Sequence, residues 1–202
     1  MELAQHYFEY IAKEQEGFLR VIKKYFPNIK HKNPRILNIC CGIANEESLL
    51  IKYFGKNTKL IGLDIDKSLE RLLDELERKS VIIGDVRQLE KYVKGKFDLI
   101  MGRNIPLNPN YNGHGEEIND FWPGVFEDLL KFMKFDSKLF LSLVCEDEFS
   151  RAKEILNNHG YRIKINERNS IIVQSDYIGV KGSDTKDHYV IIAETPFQLR
   201  LF

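Results

Sequence analysis

The sequence is poor in cysteine, and its few cysteines are badly placed for stabilising a fold. Cys40 and Cys41 are adjacent, which makes a poor disulfide pair, and together with Cys145 they lack the spacing of a zinc site. A disulfide framework and a structural zinc site are therefore not expected. Free thiols persist best in a reducing compartment, so the expected location is the cytoplasm.

An excess of one charge sign and a long hydrophobic run are also missing. The 30 Lys and Arg residues balance the 30 Asp and Glu residues. A protein whose main ligand is a phosphate backbone usually has a basic excess, so the balance disfavours that class while leaving a local basic patch open. The longest apolar runs, such as residues 139–144, are too short to span a bilayer, and the acidic start MELAQHYFEY is unlike a signal peptide.

What the sequence does contain is an alternation of strand and helix patterns over a length that fits one domain. Predicted strands cover residues 35–40, 59–64, 80–84, 97–102 and 138–145. Predicted helices cover residues 3–26, 45–54, 67–79 and 86–93, with two more around Phe126–Met133 and before Gly160. Two further β-rich runs, at residues 161–175 and 188–195, predict a long terminal hairpin.

This alternation predicts an α/β fold of the Rossmann-like type, a three-layer sandwich in which helices cover both faces of a mostly parallel sheet. The terminal hairpin would add an antiparallel strand to that sheet. Ligands of open parallel sheets bind at the carboxyl ends of the strands, which is therefore where functional residues are expected.

Three successive strand ends carry residues suited to a nucleoside. The first ends in a turn with the small residues Cys40, Gly42 and Ala44, where backbone can approach a ligand closely. Asp64 ends the second strand about 20 residues later, a spacing at which a carboxylate binds ribose hydroxyls. Asp85 follows the third strand. Each acid has a structural alternative, since carboxylates at strand ends often cap the next helix.

The segments ILNICCGIA, LIGLDID, VIIGDV and FDLIMGRN resemble motifs I to IV of the class I S-adenosylmethionine-dependent methyltransferases. The resemblance covers residues 35–195, so residues 1–202 are interpreted as one methyltransferase-like domain with an N-terminal helix and connector at 1–34. It implies a seven-stranded sheet whose last strand is antiparallel. It also implies S-adenosyl-L-methionine as cofactor, bound across the first four strand ends, with S-adenosyl-L-homocysteine as product.

The resemblance assigns cofactor contacts residue by residue. Asp64 would hold the ribose with Ile65 against the adenine, and Asp85 and Val86 would meet the adenine edge. The positions at the methionine part and the sulfonium are Asn38, Cys40, Cys41, Gly42, Ala44, Gly102, Arg103 and Asn104.

The first motif departs from the family pattern at three positions. The family usually has an acidic residue where Asn38 stands, and glycines where Cys40 and Ala44 stand. Asn38 keeps hydrogen-bonding capacity but lacks the negative charge that favours an ammonium group. Cys40 and Ala44 add side-chain volume where the backbone approach is closest.

Two residues are candidates for acceptor chemistry. Asn104 begins the segment Asn-Ile-Pro-Leu, which partly resembles the Asn-Pro-Pro-aromatic motif of amino methyltransferases. His114 lies between two glycines in the following loop and is a candidate base, with a plain surface histidine as the alternative. No metal is expected, because the acidic run ending at Glu148 is explained by the dipole of a helix N-terminus.

The leading interpretation is a methyltransferase with an unidentified acceptor, a small molecule being favoured over nucleic acid by the neutral charge. The alternatives are an inactive methyltransferase-like binding protein and a nucleic-acid N-methyltransferase. A nicotinamide-dependent oxidoreductase is disfavoured because no GxGxxG follows the first strand. Aminopropyl transfer is disfavoured because no dedicated acidic substrate pocket is evident. A membrane partner is not expected, nucleic acid is not excluded as a partner, and the sequence does not indicate an oligomeric state.

Overall fold

The centre of this protein, as seen in a computed structural model, is a sheet of hydrophobic strands that pair mostly in parallel. The structure describes residues 15–27, 33–42, 44–77, 79–107, 117–170, 173–174, 185–186 and 189–196. The strands of the main sheet are β1 (Arg35–Ile39), β2 (Lys59–Asp64), β3 (Val81–Ile83), β4 (Phe97–Arg103), β5 (Met133–Leu143), β6 (Arg162–Arg168) and β9 (Tyr189–Glu194). Two short strands, β7 (Val173–Gln174) and β8 (Thr185–Lys186), lie between β6 and β9 in the chain and form a separate pair.

The sheet has the strand order β3-β2-β1-β4-β5-β9-β6. Neighbours from β3 to β5 pair in parallel, whereas β9 is antiparallel to both β5 and β6. Strands β7 and β8 pair antiparallel beyond the β6–β9 pair, as a long hairpin requires. The predicted fold class is thus confirmed: a seven-stranded, mostly parallel sheet with a C-terminal antiparallel strand.

Helices cover the two faces of the sheet. They are α1 (residues 15–25), α2 (Glu47–Phe54), α3 (Glu70–Glu75), α4 (Leu89–Tyr92), α5 (Glu117–Phe132) and α6 (Glu146–Asn158). Side chains of α1 and α2 pack in one buried cluster with Ile36 and Met101, and those of α4, α5 and α6 pack in another with Leu37 and Ile39. Neighbouring residues of β1 therefore face opposite layers, as strand geometry requires.

The second helix begins later than its sequence suggests and ends where expected. Asn45 was the expected N-cap, but the N-cap position is Glu46 and α2 begins at Glu47. Since Glu46 uses its carboxylate elsewhere, no side-chain capping bond is present there among the described residues. The helix ends at Gly55 as predicted, because glycine adopts the φ of 111° found there without a steric penalty.

The third helix is shorter than predicted. Residues Lys67–Leu69 form a 3₁₀ turn before α3, and of the expected leucine stripe Leu73 is buried while Leu72 and Leu76 are exposed. The physical reason is its position, since α3 connects β2 to the three-residue edge strand β3, and such an edge offers little surface to cover.

Other boundaries also differ from the predictions. Strand β5 begins at Met133 instead of Lys138, directly after α5, and β3 is two residues shorter than the predicted strand. Of the predicted helix at residues 3–26, the structure shows 15–25 as helical, and residues 3–14 lie outside the described part. Within the described ranges, no helix is both long and apolar enough to cross a bilayer.

Candidate functional site

The carboxyl ends of β1 and β2 are joined by one carboxylate. Asp64, the last residue of β2, accepts a hydrogen bond from the Gly42 N–H at 2.7 Å through Oδ2. Its Oδ1 accepts a second bond from the Asp66 N–H at 3.0 Å. The Cys41 N–H donates to the Leu63 carbonyl at 3.3 Å. Asp64 therefore fixes the turn after β1 against the end of β2, at the edge where a ligand of this fold class would bind.

The turn after β1 runs through left-handed backbone. Its φ angles are 53° at Cys40, 54° at Gly42 and 50° at Ala44. Glycine adopts this conformation freely, whereas other residues do so at a cost of about 1–2 kcal/mol. Cys40 and Ala44 thus keep the backbone conformation that suits the glycines expected at their positions. A Cβ added at Gly42 would meet nothing within 4 Å in the described part of the chain, which leaves open space beside the Asp64 carboxylate.

Replacing Ala44 by glycine tests this strain. Ala44 and Ala152 are both fully buried, but Ala152 lies in ordinary helix in α6. Each change to glycine removes one buried methyl, worth about 0.8 kcal/mol. In the helix, glycine costs about 1 kcal/mol more because its helix propensity is lower than that of alanine. At Ala44, glycine instead relieves about 1–2 kcal/mol of backbone strain. By urea unfolding, Ala44→Gly should stay within about 1 kcal/mol of wild type, and Ala152→Gly should lose about 2 kcal/mol. Equal losses would contradict the strain at Ala44.

Gly62 in the middle of β2 allows the turn to lie this close, and the sequence reasoning missed it. A Cβ built there would be 2.7 Å from Cys41 Sγ and 3.2 Å from Val81 Cγ2. The Cys41 side chain occupies the space that a larger residue would fill. A glycine inside a predicted strand often signals such a close approach, so the signal was present in LIGLD.

The two cysteines of the turn are neutral thiols at physiological pH. Burial, with a smaller contribution from the Asp64 carboxylate, raises the pKa of Cys40 to about 12. Burial also raises the pKa of Cys41, and the negative charges of Asp64 and Glu46 raise it further. Cys40, Cys41 and Cys145, all within the described ranges, are free of disulfides.

Asp66 and Asp85 cap short helical turns. Asp66 accepts a bond from the Ser68 N–H at 2.9 Å, and Asp85 accepts one from the Arg87 N–H at 2.9 Å. The Asp85 carboxylate is also paired with the Arg87 guanidinium at 2.5 Å, and hydrogen bonds from that side chain lower the pKa of Asp85. Arg87 lies over the ring of Phe121 with 5.1 Å between its Cζ and the ring centroid. In this structure Asp85 therefore acts as a helix cap, which is the structural alternative to adenine binding that the sequence left open.

Two residues assigned to the adenine differ in accessibility. Ile65, directly after Asp64, is 60% exposed, which is unusual for an isoleucine at the end of a buried strand. Val86, after Asp85, is buried in the core cluster below the edge. Ile65 is free to make an apolar contact with a ligand, whereas Val86 supports the strand end from beneath.

The end of β4 contributes a buried ion pair. Arg103 Nη1 lies 2.6 Å from Glu46 Oε1, and the two side chains are 8% and 12% exposed. The guanidinium also lies over the ring of Phe18 in α1, with 4.5 Å between Cζ and the ring centroid. Gly102 is closely packed, since an added Cβ would be 3.1 Å from side-chain atoms of Ile105 and Leu141. Sequence reasoning named Arg103 but missed Glu46 and Phe18, because no spacing rule links them.

Two amide oxygens at this edge lack hydrogen-bond donors within the described residues. Asn38 Oδ1 in β1 and Asn104 Oδ1 after β4 are both buried without a partner there. Asn104 also has left-handed backbone, with a φ of 53°, and its N–H donates to the Ser142 carbonyl at 2.8 Å. Buried polar atoms are normally paired, so unpaired oxygens at a strand edge point to a ligand or water that donates to them.

The structure brings most of the assigned residues to one edge of the sheet. Asn38 lies near the end of β1, and Cys40, Gly42 and Ala44 follow that strand. Asp64 ends β2 and Ile65 follows it, while Gly102 and Arg103 end β4 and Asn104 follows it. His114 lies outside the described residues. The described residues contain no group of three potential metal ligands, and Glu148 accepts a hydrogen bond from the Val144 N–H at the start of α6.

Comparison with known proteins gives fold-level likeness. No family model and no curated protein matches the chain. Its structure is similar to a TehB-like SAM-dependent methyltransferase from Corynebacterium glutamicum, with a TM-score of 0.59, 14% identity and 96% of each chain covered. It is also similar to magnesium protoporphyrin IX methyltransferase from Synechocystis, solved with bound SAM, with a TM-score of 0.57, 13% identity and 91% and 80% of the two chains covered. This is the class I methyltransferase fold.

A third solved structure, DesVI from Streptomyces venezuelae, matches with a TM-score of 0.60 and 10% identity over 93% of this chain and 92% of the other. The class I methyltransferase fold thus spans nearly the whole chain, although few residues are identical. At such low identity the likeness establishes the fold, and the chemistry has to be argued from the residues at the strand ends.

Proposed function

We propose that the protein is an S-adenosylmethionine-dependent methyltransferase acting on a small molecule. The observation that carries the proposal is the turn after β1. Its backbone is left-handed, the space beside Gly42 is open, and the Gly42 N–H donates to Asp64 Oδ2 at 2.7 Å. Close backbone approach beside a carboxylate at the second strand end is what a nucleoside ligand with ribose hydroxyls requires.

The residues present fit the cofactor. Asp64 would accept the ribose hydroxyls, since each carboxylate oxygen has a further lone pair besides the one used by Gly42 or Asp66. Ile65 would cover the adenine with its exposed side chain. The unpaired oxygens of Asn38 and Asn104 would accept hydrogen bonds from donors at the methionine end.

The remaining assignments are part of the proposal. Cys40, Cys41 and Ala44 would line the turn as small uncharged side chains, and Gly102, packed against Ile105 and Leu141, would support the end of β4 beneath the cofactor. Asp85 and Val86 would border the adenine, with the Asp85 carboxylate shared with Arg87. His114 stays a candidate base.

The chain's part in catalysis would be alignment. When bound, the cofactor supplies a methyl group on an electrophilic sulfonium. The protein residues hold donor and acceptor in line and exclude water, which is worth several powers of ten in rate. Asn104 would orient the acceptor. This role is supported by its side-chain oxygen, which is unpaired among the described residues, and by its backbone N–H, which donates to the Ser142 carbonyl of β5.

A small-molecule acceptor is proposed because the chain has as many acidic as basic residues, whereas nucleic-acid enzymes usually carry a basic excess. A cytoplasmic location is proposed because all three cysteines are free thiols.

Transfer of a labelled methyl group tests the proposed activity. The protein is incubated with S-adenosylmethionine tritiated in its methyl group and with an extract of the encoding organism, divided into small-molecule and nucleic-acid fractions. We expect label in the small-molecule fraction, and about 100-fold less with Asp64→Asn when the cofactor concentration is kept below its Kd. Label in nucleic acid would contradict the acceptor class. Binding of S-adenosylhomocysteine without any transfer would indicate a methyltransferase-like binding protein instead.

Gly62→Ala should weaken S-adenosylhomocysteine binding by about tenfold, equal to about 1.4 kcal/mol. The added methyl group would be 2.7 Å from Cys41 Sγ, so the turn must shift away from β2 and from Asp64. Because the shorter of the two close contacts is with the Cys41 side chain and the other, with Val81, is 3.2 Å, Cys41→Ala in the same chain should restore most of the affinity. Calorimetric titration of the single and double variants measures both effects. An unchanged affinity in Gly62→Ala would contradict the role given to the turn.

A further inference from the structure

The buried ion pair between Glu46 and Arg103 is unexpected at this position. Removing two charges from water usually costs more than their attraction returns, so a buried pair is weak evidence for a purely stabilising role. Here both side chains are about nine-tenths buried, and the flat face of the guanidinium is packed on Phe18. The pair is therefore held in a defined orientation by two helices of the same layer.

The pair lies next to the turn after β1. Gly102 pairs with Ile39, so Arg103 is level with Cys40, where the turn begins. Glu46 follows Ala44 by two residues, and its charge contributes to the raised pKa of the Cys41 thiol. Since Leu37 and Ile39 face the α4–α6 layer, Asn38 faces the α1–α2 layer, which is the side on which Arg103 packs against Phe18.

The position of Glu46 bears on the missing charge of the first motif. The resemblance expects an acidic residue where this chain has Asn38, and a neutral amide cannot balance an ammonium group. Glu46 provides a carboxylate on the same side of β1, and Arg103 adds a guanidinium, which recognises carboxylates through two parallel hydrogen bonds. A charge pair of this kind is complementary to a ligand end that carries one ammonium and one carboxylate.

We propose that Glu46 and Arg103 form the binding site for the amino-acid end of the cofactor, with Glu46 facing its ammonium group and Arg103 its carboxylate. The inference rests on the proposed function and adds residues that select an amino-acid tail. The Glu46 carboxylate thereby takes over the role that an acid at position 38 would have. Because the site and the tail are each neutral overall, salt should affect binding little.

A pair of ligands isolates this contribution. S-adenosylhomocysteine carries the amino-acid tail, and 5′-methylthioadenosine keeps the adenosine and the thioether but lacks the tail. We expect wild type to bind the first at least about 30-fold more tightly, the lower end of the loss when one member of a buried charge pair is removed. In Glu46→Gln and in Arg103→Gln this preference should fall to less than about fivefold, with 5′-methylthioadenosine affinity unchanged.

Two further variants keep the test decisive. The double variant Glu46→Gln/Arg103→Gln removes both members of the pair together, so neither charge is left without the other even where a single change fails to fold. Asp98→Asn is the matched control, since Asp98 is a buried carboxylate paired with Lys134 at 2.7 Å at the opposite end of β4. Its ligand preference should equal that of wild type.

The outcomes separate this inference from the proposed function. Loss of preference in the pair variants, with an unchanged preference in Asp98→Asn, supports it. Equal weakening of both ligands would assign the pair a merely structural role and overturn it. A wild type that binds both ligands equally would overturn it while leaving the adenosine site intact. A wild type that binds neither ligand would overturn the proposed function as well.

Discussion

Asp64→Asn should lower the affinity for S-adenosylhomocysteine about 100-fold, equal to about 2.7 kcal/mol. Asp64 already accepts the N–H groups of Gly42 and Asp66, one through each oxygen, and would accept the ribose hydroxyls in addition. An asparagine side chain has one acceptor oxygen and no charge, so it cannot serve all of these donors. Hydrogen bonds to a charged group are worth about 1.5–3 kcal/mol, which sets the size of the effect. Calorimetric titration measures it.

Asp66→Asn is the matched control for this result. Asp66 is exposed and caps the turn at Lys67–Leu69, and asparagine is as good an N-cap as aspartate. The control variant should bind with wild-type affinity. The free energy of unfolding of Asp64→Asn should fall by about 1 kcal/mol, so the variant stays folded. A loss of affinity smaller than about threefold in Asp64→Asn would contradict the role of this carboxylate.

Phe140→Ala should lower the free energy of unfolding by about 3–5 kcal/mol, the largest stability effect expected from a single change here. Phe140 is fully buried in β5, and its ring makes edge contacts with Phe18 and Phe26 at centroid distances of 6.3 and 5.6 Å. Removing it leaves a cavity between the sheet and the α1 layer. Urea unfolding followed by circular dichroism measures the change.

Phe135→Ala provides the comparison within the same strand. Phe135 is 57% exposed, so its removal leaves no cavity, and the expected loss is below about 1 kcal/mol. Similar losses for the two phenylalanines would mean that α1 is not packed on β5 as described. Because Phe18 contacts both Phe140 and Arg103, Phe140→Ala should also weaken ligand binding, through looser packing of Phe18 against the guanidinium.

Much of the fold could be predicted from the sequence because its signals are local. A hydrophobic run predicts the strand that begins at Arg35, and one glycine predicts the end of the helix at Gly55. The leucine stripe of α3 was misleading, since periodicity shows which face is apolar but not whether a neighbour covers it. The early start of β5 was also missed, because Met133 fits the apolar face of the preceding helix and the next residues, KFDS, look like a loop by composition.

The sequence predicts only those parts of the site that are marked by a local motif or a known spacing. The turn around Gly42 and the acid at Asp64 are each local features at a known spacing, and the structure joins them by a hydrogen bond. The pairing of Glu46 with Arg103 joins residues far apart in the sequence, so no spacing rule could find it. Asp85 looked equally suited to capping and to binding, and the Arg87 side chain that holds it is visible only in three dimensions.

Calorimetric titration with S-adenosylhomocysteine, with a nicotinamide dinucleotide as the control ligand, tests the central claim most directly. Both ligands contain adenosine, but only the first ends in an amino acid. The site at the ends of β1, β2 and β4 predicts one equivalent of S-adenosylhomocysteine bound at about micromolar affinity, near −8 kcal/mol, and no binding of the dinucleotide. Absence of binding by S-adenosylhomocysteine, or binding of the dinucleotide instead, would contradict the assignment of this edge to a methyltransferase cofactor.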